Sequence, residues 1–167
     1  MTSGQLPSSY DEALHQHLVF YSKITCVLAM ALIVGGVGLD AAFYPDKLLE
    51  FGVVRLLVVS LIGAALWSYS REWGLSHVRA LTYFWIALPQ LMICWMIYAT
   101  DGEASIYFVG LNLAVSGISI FLPLTVREAL SFSVFTLVVY TLSCVLRAGG
   151  VQHWPALAGQ LIFIIFY

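Results

Sequence analysis

The stretch that decides the fold is DGEASIYFVGLNLAVSGISIFLP, which runs from Asp101 to Pro123. After its two opening acids, Asp101 and Glu103, it carries no charged side chain, and the next charge along the chain is Arg127. A helix needs about 20 apolar residues to cross the hydrocarbon core of a bilayer, and this run is long enough. An amide, Asn112, nevertheless lies within it. The stretch therefore predicts a membrane helix with a polar side chain that must find a partner.

The composition of the whole chain agrees with a protein that crosses the membrane several times. Of the 167 residues, 61% are hydrophobic and 10% are charged, whereas a soluble domain carries roughly a quarter charged residues. The net charge of −2 leaves no cluster of basic residues for binding nucleic acid. Cys26, Cys94 and Cys144 lie in apolar runs without a CxxC pair, so we interpret them as small hydrophobic residues rather than metal ligands or disulfides.

Apolar runs recur along the chain and predict an all-α fold, a polytopic membrane bundle of six transmembrane helices with short loops. The predicted spans are about 18–43, 52–70, 78–100, 104–126, 129–146 and 154 onwards. Residues 1–17 are predicted to be a cytoplasmic N-terminal segment, and residues 18–167 the membrane domain. Because the sixth run is still apolar at Tyr167, we expect this helix to continue in a longer polypeptide. The connections are too short to hold a folded extramembrane domain.

The distribution of basic residues favours an N-terminus in the cytoplasm, because loops on that side carry an excess of Lys and Arg. In that orientation four basic residues flank the cytoplasmic ends of the spans, and three lie outside. The cytoplasmic set is Lys23, Arg71, Arg79 and Arg127, and the outer set is Lys47, Arg55 and Arg147.

Polar side chains within the spans are the candidate ligand contacts, since such groups face the bundle interior or a cavity. Gln90, Asn112 and Gln160 either converge on one pocket or form hydrogen bonds between helices. Asp40 and Arg55 lie at similar depth on the outer side. They either neutralise each other, or Arg55 remains free to bind the acidic head of a ligand.

The start of the fourth span adds two more candidate ligand contacts. Ser105, Tyr107 and Asn112 fall within one broad arc of a helix, so we expect them to line the outer half of a small cavity inside the bundle. Asp101 and Glu103 would lie at its mouth.

The four histidines lie near the ends of predicted spans and are candidate haem ligands. His15 and His17 precede the first span, His77 opens the third, and His153 opens the sixth. Two axial imidazoles can hold a b-type haem, and His77 could pair with either His15 or His17. Alternatively, the histidines are interfacial residues with no ligand, or they bind zinc, although no Cys or carboxylate cluster is spaced to complete a zinc site. The chain shows no set of nucleophile, base and acid, so we predict no catalytic site in it.

Residues 102–128 resemble a segment of bacterial signalling proteins that carry a six-helix membrane module ahead of a histidine kinase or a class III adenylate cyclase. The shared pattern is G-x-x-S-x-Y followed by G-L-N-L, then a proline and an acid. It is formed here by Gly102, Ser105, Tyr107, Gly110, Leu111, Asn112, Leu113, Pro123 and Glu128. The turn DAAFYPDKLLEFGVVR, from Asp40 to Arg55, is similar to the first hairpin of these modules, and quorum-sensing kinases share the layout.

The resemblance implies a sensory input domain in the bacterial inner membrane. It implies a homodimer that holds a small ligand or haem b within the bundle and passes a conformational change through the sixth helix to a cytoplasmic kinase or cyclase. Two other classes of protein remain open: a passive dimerising membrane anchor, and a haem-b electron carrier or small transporter. Transporters often contain interrupted helices in repeated halves, and Pro89 is the one hint of an interruption in this sequence.

Overall fold

The computed structural model describes residues 10–147 and 149–166, with side chains described from 16 to 147 and from 149 to 165. This part of the chain contains α-helices and short 3₁₀ turns but no strand, which confirms the all-α prediction. The helices are α1 (Tyr10–Gly35), α2 (Val37–Phe43), α3 (Leu48–Ser68), α4 (Glu72–Ser76), α5 (Val78–Ala99), α6 (Tyr107–Phe121), α7 (Val126–Val145) and α8 (Trp154–Phe166). The 3₁₀ turns are Pro45–Lys47 and Gly102–Ala104.

Four helical segments are long and apolar enough to cross a membrane: Gln16–Phe43, Pro45–Ser68, Val78–Ala99 and Val126–Val145. Two further apolar helices, Tyr107–Phe121 and Trp154–Ile165, are shorter. The chain therefore has the helices of a membrane protein at all six predicted positions, and four of them have the length of a complete span. The number of complete crossings and the cytoplasmic N-terminus stay predictions.

The predicted boundaries of the fourth span, 104–126, were wrong at both ends. Ser105 is extended, with φ −68° and ψ 136°, so α6 begins only at Tyr107. At the other end Leu122 is also extended, because the ring of Pro123 disfavours helical geometry at the residue before it. The resulting helix is about 22 Å long, shorter than the hydrocarbon core of about 30 Å. The first helix also differs from the prediction, since the chain is already helical at Tyr10 and the helix is interrupted at Gly36.

α5 is the central helix, and the outer surface of the bundle is apolar. α5 packs against α1, α3, α6 and α7, and 56% of its most apolar stretch is buried, compared with 17–28% for the other three candidate spans. Large apolar side chains point outwards on the remaining helices, for example Leu49, which is 84% exposed, and Val126, which is 86% exposed. Such a surface is stable against acyl chains but not against water, in agreement with a lipid environment.

The two ends of the bundle carry different polar groups. The Asp40 end is the end at which α2 stops, α3 begins, α5 stops, and α6 and α8 begin. The Tyr69 end is the opposite one, where α3 stops and α5 and α7 begin. At the Tyr69 end a capping box starts α7: the backbone N–H of Thr125 donates to Glu128 Oε2 over 2.8 Å, and the N–H of Glu128 faces Thr125 Oγ1 at 3.4 Å.

Candidate functional site

A buried ion pair between Asp40 and Arg55 lies at the centre of the Asp40 end. Together with Tyr107, which binds Asp40, we call it the Asp40 cluster. Arg55 donates from Nε to Asp40 Oδ2 over 2.6 Å and from Nη2 to Asp40 Oδ1 over 2.8 Å. The Tyr107 hydroxyl donates to the same Oδ1 over 2.6 Å. Asp40 is fully buried and Arg55 almost so. Of the two predicted roles for Arg55, the structure shows the pairing with Asp40, which joins α2 and α3. The hydrogen bond from Tyr107 adds α6 to the cluster.

The interruption between α1 and α2 makes room for the guanidinium group. A Cβ atom on Gly36 would lie 2.4 Å from Arg55 Nη1 and 2.8 Å from Cζ. The same Nη1 donates to the carbonyl oxygen of Ile33 over 3.0 Å. The first helix can therefore approach Arg55 this closely only because residue 36 has no side chain.

Tyr44 extends the Asp40 cluster towards the loop between α5 and α6. Its ring stacks on that of Tyr107, with centroids 5.5 Å apart and an interplanar angle of 25°, and its hydroxyl donates to Asp101 Oδ2 over 2.6 Å. Burial raises the pKa of Tyr44, and the hydrogen bond to Asp101 adds to the increase. Lys47 Nζ donates to the carbonyl oxygen of Ala99 at the end of α5. The turn between α2 and α3 is therefore hydrogen-bonded to the chain around residue 100.

Residues 101–105, which we call the 101–105 segment, form several contacts with the ends of α5 and α7. Gly102 has φ +60°, a conformation that residues with a side chain rarely adopt. A Cβ atom at this position would lie 3.2 Å from Cδ of Arg147. Arg147 Nη2 lies 3.9 Å from Asp101 Oδ1. The hydroxyls of Thr100 and Ser105 are hydrogen-bonded over 2.8 Å. These contacts orient the segment so that Glu103 turns into the protein.

Glu103 connects the 101–105 segment to α8. Its Oε1 accepts hydrogen bonds from the backbone N–H groups of Gln152, over 2.8 Å, and His153, over 2.7 Å, just before the helix begins. Its carbonyl oxygen accepts from Gln160 Nε2 over 2.8 Å, and Gln160 Oε1 in turn accepts from the Tyr140 hydroxyl of α7. The Glu103 side chain is 2% exposed, and Oε2 has no hydrogen-bond partner among the described residues.

The charge of Glu103 is stabilised by its backbone partners. Burial acts to raise the pKa of this carboxyl, but hydrogen bonds from backbone N–H groups, including those of His153 and Gln152, outweigh burial and lower the pKa below its ordinary value. An ionised carboxylate placed before the first turn of a helix also interacts favourably with the helix dipole. Glu103 therefore acts as a charged anchor for the beginning of α8.

Five of the seven predicted ligand contacts belong to this connected hydrogen-bond system: Asp40, Arg55, Tyr107, Ser105 and Gln160. The other two do not. Gln90 is fully buried in α5, and neither atom of its amide has a hydrogen-bond partner in the described part of the chain. Asn112 is half-buried, and its side chain forms no hydrogen bond with another described residue.

Two open grooves lie on the outside of the bundle. One, of about 520 Å³, is lined by Pro45, Asp46, Leu48, Leu49, Gly52, Val53 and Leu56. The other, of about 270 Å³, is lined by Tyr83, Ala87, Ser131, Phe132 and Phe135. None of the seven predicted ligand contacts lines either groove. Three of the seven, Asp40, Arg55 and Tyr107, are buried and bind one another, and a role of the seven in binding a ligand stays a prediction.

Sequence reasoning missed Glu103 and Tyr140 as members of the site. Glu103 was predicted at the mouth of a cavity, whereas it is buried and binds the backbone before α8. Tyr140 lies in an apolar run without any local signal. Their roles follow from the register of α7 and α8 against the 101–105 segment.

Three of the four histidines, His17, His77 and His153, have described side chains. His77 is exposed and stacks on Trp73 at 5.0 Å, and its Nδ1 lies 2.8 Å from Ser76 Oγ. His17 is exposed and stacks on Tyr21 at 6.2 Å. No group of three or more His, Cys, Asp or Glu residues in the described part could hold a metal ion. The side chain of His15 lies outside the described residues.

The hydrogen bond between Ser22 Oγ and Thr82 Oγ1, 3.2 Å long, fixes the level of α1 relative to α5. His17 and His77 precede these two residues by the same number of positions and so lie at similar levels. His153 is at the other end of the bundle, where its backbone N–H binds Glu103. Pairing of His17 with His77 on a haem stays a prediction.

Comparison with known proteins adds no identification. No protein-family model, no curated protein and no solved structure matches this chain. The likeness of residues 102–128 to bacterial sensory modules therefore stays a prediction, and the geometry described above carries the functional argument.

Proposed function

We propose that this chain is a membrane-embedded sensory module, in which a change at the Asp40 cluster is passed through the 101–105 segment to α8. One observation carries the proposal: the Glu103 carboxylate accepts both backbone N–H groups that immediately precede α8. The segment that contains Glu103 is itself tied to the Asp40 cluster. Tyr44 binds Asp101 and stacks on Tyr107, which binds Asp40.

The energetics of the Asp40 cluster support a role beyond packing. Ionisable side chains among membrane helices are costly, and they generally mark functional positions. A buried ion pair also has two discrete states, paired and unpaired, so a ligand, proton or voltage that favours one of them can move the attached helices. The Asp40 cluster joins three such elements, α2, α3 and α6.

The position of α8 is expected to depend strongly on the 101–105 segment. Its main packing partners among the described elements are α7 and the 102–104 turn. A helix with so few neighbours depends strongly on the hydrogen bonds that fix its first turn. A shift of the 101–105 segment would therefore change the position of α8 more than that of the central α5, which four helices surround.

The test is to weaken the Asp40 cluster and measure α8. With the chain in lipid nanodiscs, Tyr107→Phe removes one hydrogen bond from Asp40 while keeping the ring that stacks on Tyr44. We expect faster amide hydrogen exchange over residues 150–161. The matched control is Tyr69→Phe, which removes a buried hydroxyl at the opposite end of the bundle and should leave exchange in α8 unchanged.

A passive membrane anchor predicts another outcome. In that case Tyr107→Phe would raise exchange only around residues 40, 55 and 107, and α8 would stay protected. The resemblance to signalling modules extends the proposal to a homodimer with a cytoplasmic kinase or cyclase as output. In a full-length signalling protein, Tyr107→Phe should change that output and Tyr69→Phe should not.

A further inference from the structure

A second polar cluster lies at the Tyr69 end, far from the Asp40 cluster. Three hydroxyls from α1, from the residue that follows α3, and from α5 meet there. Thr82 Oγ1 lies 2.8 Å from the Tyr69 hydroxyl and 3.2 Å from Ser22 Oγ. All three side chains are buried. Their hydrogens can be assigned one by one, because each hydroxyl has a single proton to donate.

Thr82 uses its only proton within its own helix. Its Oγ1 donates to the carbonyl oxygen of Val78 over 2.8 Å, and a carbonyl can only accept. Thr82 Oγ1 must therefore accept from both of its other neighbours, Tyr69 and Ser22, and this occupies its two lone pairs. The oxygens of Tyr69 and Ser22 consequently donate to Thr82 and keep free lone pairs, for which no described residue supplies a donor.

A buried donor without a partner lies one helical turn further along α5. Trp85 is 1% exposed, and its Nε1 has no hydrogen-bond partner in the described part of the chain. Trp85 follows Thr82 by three positions on α5, so the two side chains lie on one face of that helix. The Trp85 side chain also lies near the Tyr69 hydroxyl, without forming a hydrogen bond to it.

We propose that Trp85, Tyr69 and Ser22 bind one water molecule inside the bundle. The water accepts from Trp85 Nε1 and donates to Tyr69 Oη and Ser22 Oγ. Water fits this site better than an alcohol does, because two acceptors are free and an alcohol has only one proton to donate. Buried waters in proteins typically form about three hydrogen bonds of this kind with groups that are otherwise unsatisfied.

The direct test is a structure of the chain in lipid at a resolution that shows ordered water. We expect a water peak within about 2.7–3.2 Å of Trp85 Nε1 and within hydrogen-bond reach of Tyr69 Oη and Ser22 Oγ. The peak should be lost in Trp85→Phe while the three hydroxyls stay in place. A well-ordered site without a peak, or an indole turned to bond a protein oxygen directly, would overturn the proposal.

A solution measurement keeps the proposal testable if no such crystal or image is obtained. Ultraviolet resonance Raman spectra report whether an indole N–H is hydrogen-bonded, and the difference between wild type and Trp85→Phe isolates Trp85. We expect the signature of a bonded N–H in wild type and a shift towards a free N–H in a Ser22→Ala, Tyr69→Phe double variant. If the double variant does not fold, Ser22→Ala alone should give a smaller shift in the same direction. A free N–H in wild type would contradict the inference.

Discussion

Removing the charge of Asp40 should destabilise the protein severely, and removing the charge of Arg55 as well should restore much of the loss. Asp40→Leu takes away the acceptor of both Arg55 bonds, 2.6 and 2.8 Å long, and of the Tyr107 bond. The guanidinium then stays buried with only the carbonyl of Ile33 as a partner. Breaking a buried ion pair by removing one partner costs about 3–5 kcal/mol.

The double variant Asp40→Leu, Arg55→Met contains no buried charge. Replacing a buried pair with apolar side chains of similar size is often nearly neutral. One cost remains, because the hydroxyl of Tyr107 has lost its acceptor, and an unsatisfied buried donor costs about 1–3 kcal/mol. We therefore expect the free energy of unfolding of the double variant to be about 1–3 kcal/mol lower than that of wild type. The triple variant with Tyr107→Phe should have nearly the same free energy of unfolding as wild type.

The free energy of unfolding can be measured by titrating mixed micelles with a denaturing detergent and following circular dichroism. The decisive quantity is the coupling energy of the double-mutant cycle. Additive losses for Asp40→Leu and Arg55→Met would refute the reasoning, because they would show that neither charge depends on the other. A double variant less stable than either single variant would refute it equally.

Three further predictions each concern a single residue. Gly36→Ala should lose about 1–3 kcal/mol through overlap with the Arg55 guanidinium, whereas Gly35→Ala, where no atom lies within 4 Å of the added Cβ, should lose far less in the same titration. Because the folded-state pKa of Glu103 is lowered, the stabilisation of α8 is complete above the ordinary value of 4.5 and is lost as pH falls through the lower folded value. Hydrogen exchange at the first amides of α8 should increase over that range in wild type, and this dependence should be absent in Glu103→Gln. If His77 is an axial ligand of haem b, the purified chain supplied with haemin shows a Soret band that His77→Ala diminishes, while a colourless wild-type protein under the same conditions would contradict haem binding.

The membrane character and the all-helical fold could be predicted from the sequence because both depend on composition along short windows. An apolar run must form its backbone hydrogen bonds internally, so in lipid it becomes a helix whatever its neighbours are. The inward direction of Asp40, Arg55 and Tyr107 follows from the same rule. The limits of α6 were less predictable, since the extended conformation of Ser105 depends on contacts of the 101–105 segment with Thr100 and Arg147.

The partner of each inward side chain was decided only by the tertiary structure. The sequence left open whether Arg55 would bind Asp40 or a ligand. It also left open whether Gln160 would share a pocket with Gln90 and Asn112 or form a hydrogen bond between helices. The packing of α2 against α3 brings Asp40 and Arg55 together. The packing of α8 on α7 places Gln160 within hydrogen-bond distance of Glu103 and Tyr140. Helical periodicity determines which face of a span a residue occupies, but a hydrogen bond requires two atoms within about 3 Å, and that depends on how the helices are rotated and shifted against one another.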